Sequence, residues 1–367
     1  MENDRVLKSG IVGYGIAIPY RRMDVQQVLN VWKNSDYGIL KFRLKAGERG
    51  VLFFNEDTNT LATESSRNAL KHAGLDGKQI EAVYLGTGTN PWASNPSSTL
   101  IAESIGTTPE VLCSDIQFSG KSGTAAIQVC AALVESDSVR QGLAIGADTL
   151  NRHVQPGELL EYVASAGSVS FVIGKEKTIA SIRGMQSYTT SLCDWFRIEG
   201  ERYIKTPSSD IPDALIIGLQ DHVVPAVEKL NKKLGLNSTD YTYAVFQQPY
   251  GYVPFALASA LNLKPEQVAP GTISEQIGDC GAASALLGLA NVLDTAKAGD
   301  RILLASYGFG AGADAFSLEV TSEIEEKRGR APMVKDVLAK KEMVDYATAM
   351  KYEYKYLRSI YPMGSMT

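Results

Sequence analysis

The segment Asp115-Ile116-Gln117-Phe118-Ser119-Gly120-Lys121-Ser122-Gly123-Thr124 decides how this chain is interpreted. It follows a strand-like run and opens an apolar helical pattern over residues 125–134. A turn from a strand into a helix presents its apex to the helix N-terminus, where backbone N–H groups and the helix dipole stabilise negative charge. Such an apex suits a nucleophile of lowered pKa, above all a cysteine. Here the apex residue is Gly120, which has no side chain to react.

The composition is that of an ordinary globular protein and excludes several classes of function. The 367 residues are 44% hydrophobic and 21% charged, with a formal net charge of −5. An acidic chain has no general attraction to nucleic acid or to anionic membranes. Neither a signal peptide nor a membrane-spanning segment is expected. The four cysteines show neither disulfide density nor zinc spacing, so we expect a cytoplasmic protein without metal or other cofactor.

Short β-rich runs alternate with longer helical patterns, which predicts an α/β fold. The predicted strands are Ile11–Ile18, Ala82–Gly86, Leu112–Ile116, Leu143–Ala147, Ser168–Ile173, Ala244–Gln247, Ile302–Ser306 and Ala315–Val320. Thr60–His72 is predicted to be a helix that stops at Gly74, and Ala214–Leu234 a helical tract broken at Pro225.

A faint internal repeat predicts two similar halves. Residues 82–86 resemble 244–248, and 123–127 resemble 281–285, at an offset of about 160 residues. That offset is too long for a solenoid unit and fits duplication of an α/β half. We therefore place an N-terminal half at 1–178 and a C-terminal half at 179–367.

The C-terminal tail, 323–367, differs in composition from the rest of the chain. After a charged run, tyrosines alternate with lysines and arginines, among them Tyr352, Lys355, Arg358 and Tyr361. Interleaved aromatic and basic residues can bind nucleic acid, but the acidic balance of the chain favours docking on its own domain or on a partner chain.

The elbow and its context resemble the thiolase-superfamily condensing enzymes, in the branch of 3-hydroxy-3-methylglutaryl-CoA synthase and ketoacyl synthase III. The resemblance covers most of the chain and rests on the elbow together with Gly13–Pro19, Gly146–Thr149, Glu201–Ile204, Phe246–Pro249, Gly278–Leu289 and Ser306–Asp314. It implies a thiolase fold with two pseudo-duplicated βαβαβ halves in a five-layer αβαβα arrangement. It also implies a homodimer formed through the first half.

The same resemblance implies that the catalytic positions of the family are replaced. Gly120 stands where the nucleophilic cysteine belongs, and Gly88 where the synthase branch has a catalytic glutamate. Gln247 replaces the catalytic histidine and Asp279 the active-site asparagine. Glycine offers no functional group, and a glutamine cannot shuttle a proton near neutral pH. No catalytic residue is therefore predicted at these positions.

Other residues could substitute for the missing groups or mark a vestigial pocket. Ser119 and Ser122 flank the apex, but a serine needs an adjacent base. The pocket candidates are Lys121, Gln247, Cys280, Phe309 and Gly310.

The remaining histidines and cysteines are interpreted as ordinary residues. His72 is placed late in a surface helix, His153 in a loop and His222 in a helical tract, and none matches a base position of the family. Cys113 and Cys130 are interpreted as inert packing.

Two glycine-containing segments invite a nucleotide-binding interpretation. A Walker A loop would need a glycine at position 115, where the chain has an aspartate that would oppose phosphate. The cluster 308–312 lacks dinucleotide-binding spacing and is equally compatible with a tight turn between two core strands.

Within the branch, the chain is most similar to the cysteine-less, ketoacyl-synthase-III-like subunit of bacterial phloroglucinol C-acetyltransferase complexes. The cysteine-less elbow, residues 30–34, 306–312 and 352–357 carry this likeness. It implies two partners: a thiolase-like subunit with the nucleophilic cysteine, and a small OB-fold subunit with or without a zinc ribbon.

The resulting hypothesis is a non-catalytic scaffold subunit of an acyltransferase or thiolase complex, a pseudoenzyme beside an active partner. Two alternatives stay open. One is an active synthase-like acyltransferase that uses a surrogate residue, and the other is a module that binds acyl-CoA without turnover.

Overall fold

A computed structural model describes residues 7–33, 44–206 and 212–356, without the side chains of 212–217. The described strands are β1 (Gly10–Ala17), β2 (Arg21–Asp24), β3 (Glu48–Val51), β4 (Ala82–Gly86), β5 (Leu112–Ile116), β6 (Gly142–Thr149), β7 (Ala166–Gly174), β8 (Ala180–Thr189), β9 (Tyr243–Phe246), β10 (Arg301–Gly308), β11 (Gly312–Val320) and β12 (Glu342–Met343).

Twelve α-helices lie within the same ranges. They are α1 (Gln26–Trp32), α2 (Thr58–Ala73), α3 (Ser97–Ile105), α4 (Ser122–Glu135), α5 (Pro212–Leu234), α6 (Val253–Ala260), α7 (Pro265–Val268), α8 (Ser274–Ile277), α9 (Ser284–Leu293), α10 (Glu323–Lys327), α11 (Val334–Ala339) and α12 (Tyr346–Tyr352). Among the described residues no helix is long and apolar enough to cross a membrane.

Nine strands form one mixed sheet in the order β5-β4-β6-β7-β1-β8-β11-β10-β9. The parallel strands β5, β4 and β6 are followed by the antiparallel β7 and β1. The same pattern recurs beyond β1: β9 and β10 are parallel, and β11 and β8 are antiparallel to their neighbours. The strands β1 and β8 join the two parts of the sheet through two pairs of residues. This mixed sheet flanked by helices is the predicted α/β fold, whereas the boundary at 178/179 stays a prediction.

All eight predicted strands exist, with ends that differ by up to three residues. The strand β8 was not predicted, because its outer part carries polar side chains such as Arg183 and Gln186 and alternates between buried and exposed positions. The strands β2, β3 and β12, which form a separate three-stranded sheet, were not predicted either. These strands are two to four residues long, too short for a periodic pattern to show.

The first long helix, α2, has the predicted ends and a more buried position than predicted. Asp57 caps it by accepting from Thr60 N at 2.8 Å, and Gly74 ends it at φ +73°. The helix packs against β1 and β7, which buries His72 at 2% exposure. The placement of His72 in a surface helix was wrong, because the small residues on this face let α2 lie close to the sheet.

The prediction that Pro225 breaks its helical tract was also wrong. The single helix α5 runs from Pro212 to Leu234 with Pro225 inside it. Val223, Val227 and Leu230 are buried there, and the helix packs on β8 and β11. Tertiary burial of this apolar face outweighs the hydrogen bond that a proline removes.

Two helices lie at the centre of the molecule where the two halves meet. Of these, α9 is buried over nearly its whole length, and α4 is buried on one face. A Cβ on Gly123 or Gly146 would lie 2.6 Å from the carbonyl oxygen of Ala282, so only glycine allows this approach. The elbow at the start of α4 is therefore fixed against the second half.

The described part of the tail docks on its own domain. Glu353 is fully buried and accepts from Arg49 at 2.5 and 3.3 Å. The Tyr354 hydroxyl donates to the carbonyl oxygen of Phe54 at 2.5 Å. One of the two predicted docking modes is therefore confirmed for residues up to 356, while Arg358 and Tyr361 lie outside the described residues.

Replacing Glu353 tests how strongly this segment is held. Glu353→Gln leaves the Arg49 guanidinium buried without a counter-charge, which we expect to cost about 3–5 kcal/mol in the free energy of unfolding. The control is Glu342→Gln, because Glu342 is half exposed and pairs with Arg21 at 3.3 Å. The control should cost less than about 1 kcal/mol. Urea denaturation gives both values, and equal losses would contradict the buried pair.

Candidate active site at the elbow

The elbow is the short turn between the end of β5 and the start of α4. Its apex, Gly120, has φ +90°, and a Cβ there would lie 2.4 Å from the carbonyl oxygen of Tyr307. Phe309 N donates to the carbonyl oxygen of Ser119 at 2.8 Å and so ties the turn to the second half. With this backbone the apex accepts only glycine, because any side chain would meet a fixed main-chain atom.

A buried ion pair connects the elbow to β11. Lys121 Nζ lies 2.8 Å from Asp314 Oδ1 on β11, and the carboxylate also accepts from Thr124 and Ser187 at 2.8 and 2.7 Å. The ammonium lies 4.8 Å from the centre of the Phe118 ring. The Lys121 side chain is committed to this pair, and its place in a pocket stays a prediction.

A cavity of about 410 Å³ opens in front of the elbow. It is lined by Gly88, Thr89, Gln117, Phe118, Ser119, Leu150, His153, Trp195, Phe196, Arg197, Ile204, Phe309 and Gly310. The structure thus brings Gly88, Phe309 and Gly310 together with Ser119, and stacks Trp195 on Phe309 at 3.8 Å between ring centres. A second cavity of about 620 Å³ shares Gly88, Gln117 and Arg197 with the first.

His153 supplies a base to this cavity. Its Nδ1 lies 3.1 Å from the carbonyl oxygen of Arg202, which can only accept, so Nδ1 carries the proton and Nε2 is the basic nitrogen. Burial lowers the pKa of His153 to about 4, so the imidazole is neutral at physiological pH. His153 was interpreted from the sequence as an ordinary loop histidine, because it lies on a turn outside every family motif, yet it lines this cavity.

Ser119 and Thr89 are the hydroxyl-bearing side chains that line this cavity, and the Thr89 hydroxyl donates to Asp148 Oδ1 at 2.7 Å. Ser119 is half-buried, and a Cβ on Gly88 would lie 3.4 Å from its Oγ. Ser122, the other serine considered, is fully buried and absent from the cavity wall. A hydroxyl and a neutral imidazole thus border the same space.

Two further predicted pocket residues lie away from the cavity. Gln247 is fully buried and donates to the carbonyl oxygen of Gly281 at 2.9 Å. Cys280 is buried with its Sγ 3.3 Å from the carbonyl oxygen of Ala166, and burial raises the pKa of its thiol. Neither residue lines the elbow cavity, and their assignment to a pocket stays a prediction.

Asp279 is also enclosed, beside a second buried carboxylate. Asp148 accepts from Gly88 N, Thr87, Thr89 and Ala282 N at 2.7–2.9 Å. Asp279 Oδ1 accepts from Gly281 N at 3.0 Å. Burial raises the pKa of Asp279 to about 7, opposed by hydrogen bonding from Gly281 N and Ser284 and reinforced by Asp148.

The remaining histidines and cysteines have structural surroundings. Burial lowers the pKa of His72 to about 4, and its ring lies 4.4 Å from that of Tyr14. Both ring nitrogens of His222 have hydrogen-bond partners, and burial raises the thiol pKa of Cys113 and Cys130. Over the described ranges no cluster of His, Cys, Asp or Glu could hold a metal ion.

Gly120→Ala tests the need for glycine at the apex. The added Cβ meets the Tyr307 carbonyl at a forbidden distance and at positive φ, so we expect a loss of about 1–3 kcal/mol in unfolding free energy. Gly88→Ala is the matched control, because its nearest new contact is 3.4 Å and its cost should stay within about 1 kcal/mol. Denaturant titration compares them, and an equally tolerated Gly120→Ala would refute the constraint.

Asp279→Asn tests the buried carboxyl through pH. Because the pKa of Asp279 is raised from its unfolded value to about 7, its ionisation penalises the folded state increasingly between pH 4 and 7. The variant should therefore be more stable than the parent by about 2–4 kcal/mol at pH 8 and nearly equal at pH 4.

Asp148→Asn provides the contrast, because it replaces an acceptor of four hydrogen bonds and should destabilise the fold at both pH values. A stability gain of Asp279→Asn that does not change between pH 4 and 8 would contradict the raised pKa.

Comparisons with known proteins find relatives that align with nearly the whole chain. The model of the 3-oxoacyl-[acyl-carrier-protein] synthase III C-terminal family matches residues 231–320. The hydroxymethylglutaryl-CoA synthase of Methanocaldococcus jannaschii is 42% identical over 95% of this chain and 99% of that protein. The synthase of Methanopyrus kandleri is 41% identical over 94% and 97%.

Solved structures show the same fold. MvaS in complex with 3-hydroxy-3-methylglutaryl coenzyme A superposes with a TM-score of 0.85 at 19% identity, covering 95% of this chain and 92% of the other. The HMG synthase of the curacin biosynthetic pathway, in complex with holo donor-ACP, superposes with a TM-score of 0.82 at 20% identity, covering 95% and 88%. The thiolase-like α/β fold predicted from the sequence is confirmed.

These comparisons overturn the hypothesis of a non-catalytic scaffold. The relatives that align with nearly the full chain at 40–42% identity are synthases, and they favour the alternative of an active, synthase-like acyltransferase. The scaffold hypothesis inferred loss of function from four replaced positions and gave too little weight to the similarity of the rest. The chain belongs to the hydroxymethylglutaryl-CoA synthase family.

Proposed function

We propose that this protein is a synthase-like acyltransferase that accepts an acyl group from a CoA thioester in the elbow cavity, with Ser119 as the surrogate nucleophile. The observation that carries the proposal is the open cavity at the elbow, which borders both the Ser119 hydroxyl and the neutral His153 imidazole. The near-full-length similarity to hydroxymethylglutaryl-CoA synthases supports acyl-CoA as the donor class.

The first step forms an acyl ester on Ser119. The Oγ attacks the thioester carbonyl, the Oγ–C bond forms and the C–S bond breaks. His153 Nε2 takes the hydroxyl proton and returns it to the departing CoA thiolate, so free CoA leaves as the thiol. The N-terminus of α4 begins three residues after Ser119, and its positive end favours the oxyanion of the tetrahedral intermediate.

The second step moves the acyl group to a carbon acceptor. His153 Nε2 removes a proton from the acceptor carbon, which attacks the ester carbonyl and forms a C–C bond; the Oγ–C bond breaks, and His153 returns the proton to Ser119 Oγ. Trp195 and Phe309 give the cavity an apolar wall, which limits the access of water to the ester.

The size of the site suits a CoA thioester and an acceptor. Small-molecule sites occupy a few hundred to about 1,000 Å³. The two adjoining cavities measure about 410 and 620 Å³ and share Arg197, an exposed cation that could pair with an anionic group of either substrate.

The same proposal extends to the oligomeric state and the partners of the protein. A homodimer would use β5, the edge strand of the sheet, whose Leu112 side chain is exposed. A cytoplasmic location, association with a thiolase-like and an OB-fold subunit, and the finer likeness to phloroglucinol C-acetyltransferase components stay predictions.

Acylation by acetyl-CoA tests the proposal directly. Intact-mass spectrometry of the full chain after incubation should show one added acetyl group, and peptide mapping should place it on Ser119. Ser119→Ala should abolish this label, because the other hydroxyl in the cavity wall, that of Thr89, is committed to Asp148. His153→Gln should slow labelling at least about 100-fold, the usual contribution of a general base. Ser122→Ala, which alters a buried hydroxyl away from the cavity, is the matched control and should label normally.

Three outcomes would overturn the proposal. Label on Cys280 or another residue would displace Ser119 from its role. Unchanged labelling of Ser119→Ala would do the same. Calorimetric binding of acetyl-CoA without any label or turnover would instead identify a binding module, the second alternative that the sequence left open.

A further inference from the structure

The end of the described chain packs on the turn that carries His153. This C-terminal segment comprises residues 352–355, and the turn spans residues 150–154. Lys355 Nζ donates to the carbonyl oxygen of Val154, and the Arg152 guanidinium lies 5.0 Å from the centre of the Tyr354 ring. The two stretches are about 200 residues apart in sequence, so this contact is made only by the fold.

Arg202 connects the C-terminal segment to the imidazole. Its guanidinium donates to the carbonyl oxygens of Glu353 and Tyr354, the former at 2.5 Å, and its Nε donates to that of Arg152 at 3.2 Å. Its own carbonyl oxygen accepts from His153 Nδ1. The side chain of Arg202 thus fixes the backbone group that sets the tautomer of the imidazole.

Glu353 anchors this arrangement in the core. Besides the Arg49 pair, its Oε1 accepts from Asn151 Nδ2 at 3.2 Å, and Asn151 belongs to the same turn as His153. A bond to Ile204 N at 2.7 Å holds the carbonyl oxygen of His153 itself. Both sides of the turn are therefore held in place, one by the C-terminal segment and one by the irregular segment that follows Arg202.

The same contacts set the charge around the imidazole. Burial disfavours the imidazolium most, the hydrogen bond to the Arg202 carbonyl oxygen favours it, and the cations Arg197, Arg202 and Lys355 disfavour it. Two of the three are held in place by the C-terminal segment. A neutral His153 with its proton on Nδ1 is the form that can accept a proton at Nε2.

We propose that Arg202 and the C-terminal segment are positioning residues for His153: they hold it as a neutral base with Nε2 free toward the elbow cavity. The use of that base in acyl transfer rests on the proposed function. Its geometry and tautomer do not, and they can be measured without any substrate.

Nitrogen-15 NMR of the histidine rings tests this positioning. The chain has three histidines, and His153→Gln assigns the signal of His153. In the parent, His153 should show the Nδ1–H tautomer and a pKa near 4. Arg202→Met keeps the aliphatic stem and removes the donors. Weaker burial of the ring and loss of a nearby positive charge should then raise the pKa of His153 toward its solvent value of ~6.5, against the loss of the hydrogen bond to residue 202, and the ring should shift toward the Nε2–H tautomer.

Lys355→Met is the second variant, because it releases residue 154 without altering Arg202, and it should move His153 in the same direction by a smaller amount. Arg140→Met removes an exposed arginine paired with Glu81 on the surface and serves as the matched control, in which His153 should not change. Unchanged melting temperatures of the variants separate positioning from unfolding.

Parent-like tautomer and pKa of His153 in both folded variants would overturn the positioning proposal, whatever the enzyme activity. If the NMR shifts occur and acyl transfer is present, the acid limb of its pH–rate profile should move upward with the pKa of His153. NMR shifts without any acyl transfer by the parent would leave the positioning established and refute the proposed function.

Discussion

The ion pair between Lys121 and Asp314 is the interaction on which the elbow depends. It lies at the junction of the two halves. Taking two charges out of water there costs free energy unless their other hydrogen-bonding positions also have partners. The hydroxyls of Thr124 and Ser187 donate further hydrogen bonds to the Asp314 carboxylate, and the Phe118 ring lies near the Lys121 ammonium. The pair therefore joins the start of α4 to β11 in one geometry, and the turn before it has no freedom to relax.

This constraint explains how a chain of the synthase family can hold a glycine at its apex. With the elbow drawn against β10, the Tyr307 carbonyl occupies the space that a side chain at position 120 would need. The chemistry available at the elbow then shifts by one residue to Ser119, which faces the cavity. The family position at 279 is enclosed behind Asp148 and its four donors, so the opposite wall of the cavity comes from the turn of His153 instead.

Sequence patterns predicted the central sheet well, because its strands are apolar runs bounded by turns and are buried on both faces. They failed at β8, where half of the positions are polar, and at Pro225, where packing overrode a local rule. At the site, the order of motifs identified the elbow and the neighbouring glycines. It could not show that Lys121 turns inward or that Cys280 packs between the halves, since the direction of a side chain depends on contacts made by distant strands.

The residues that matter most at this site act through their backbones, which is why residue-by-residue comparison misjudged them. Gly120 contributes a conformation, the Arg202 carbonyl oxygen fixes a tautomer, and the C-terminal segment is held largely through carbonyl oxygens of residues 353 and 354. Such roles leave no characteristic side chain in the sequence. Under the proposed function, chemistry that differs from the family's at the positions of Gly88, Gly120, Gln247 and Asp279 would be confined to the side chains that the surrounding frame leaves open to the cavity, Ser119 and His153 among them.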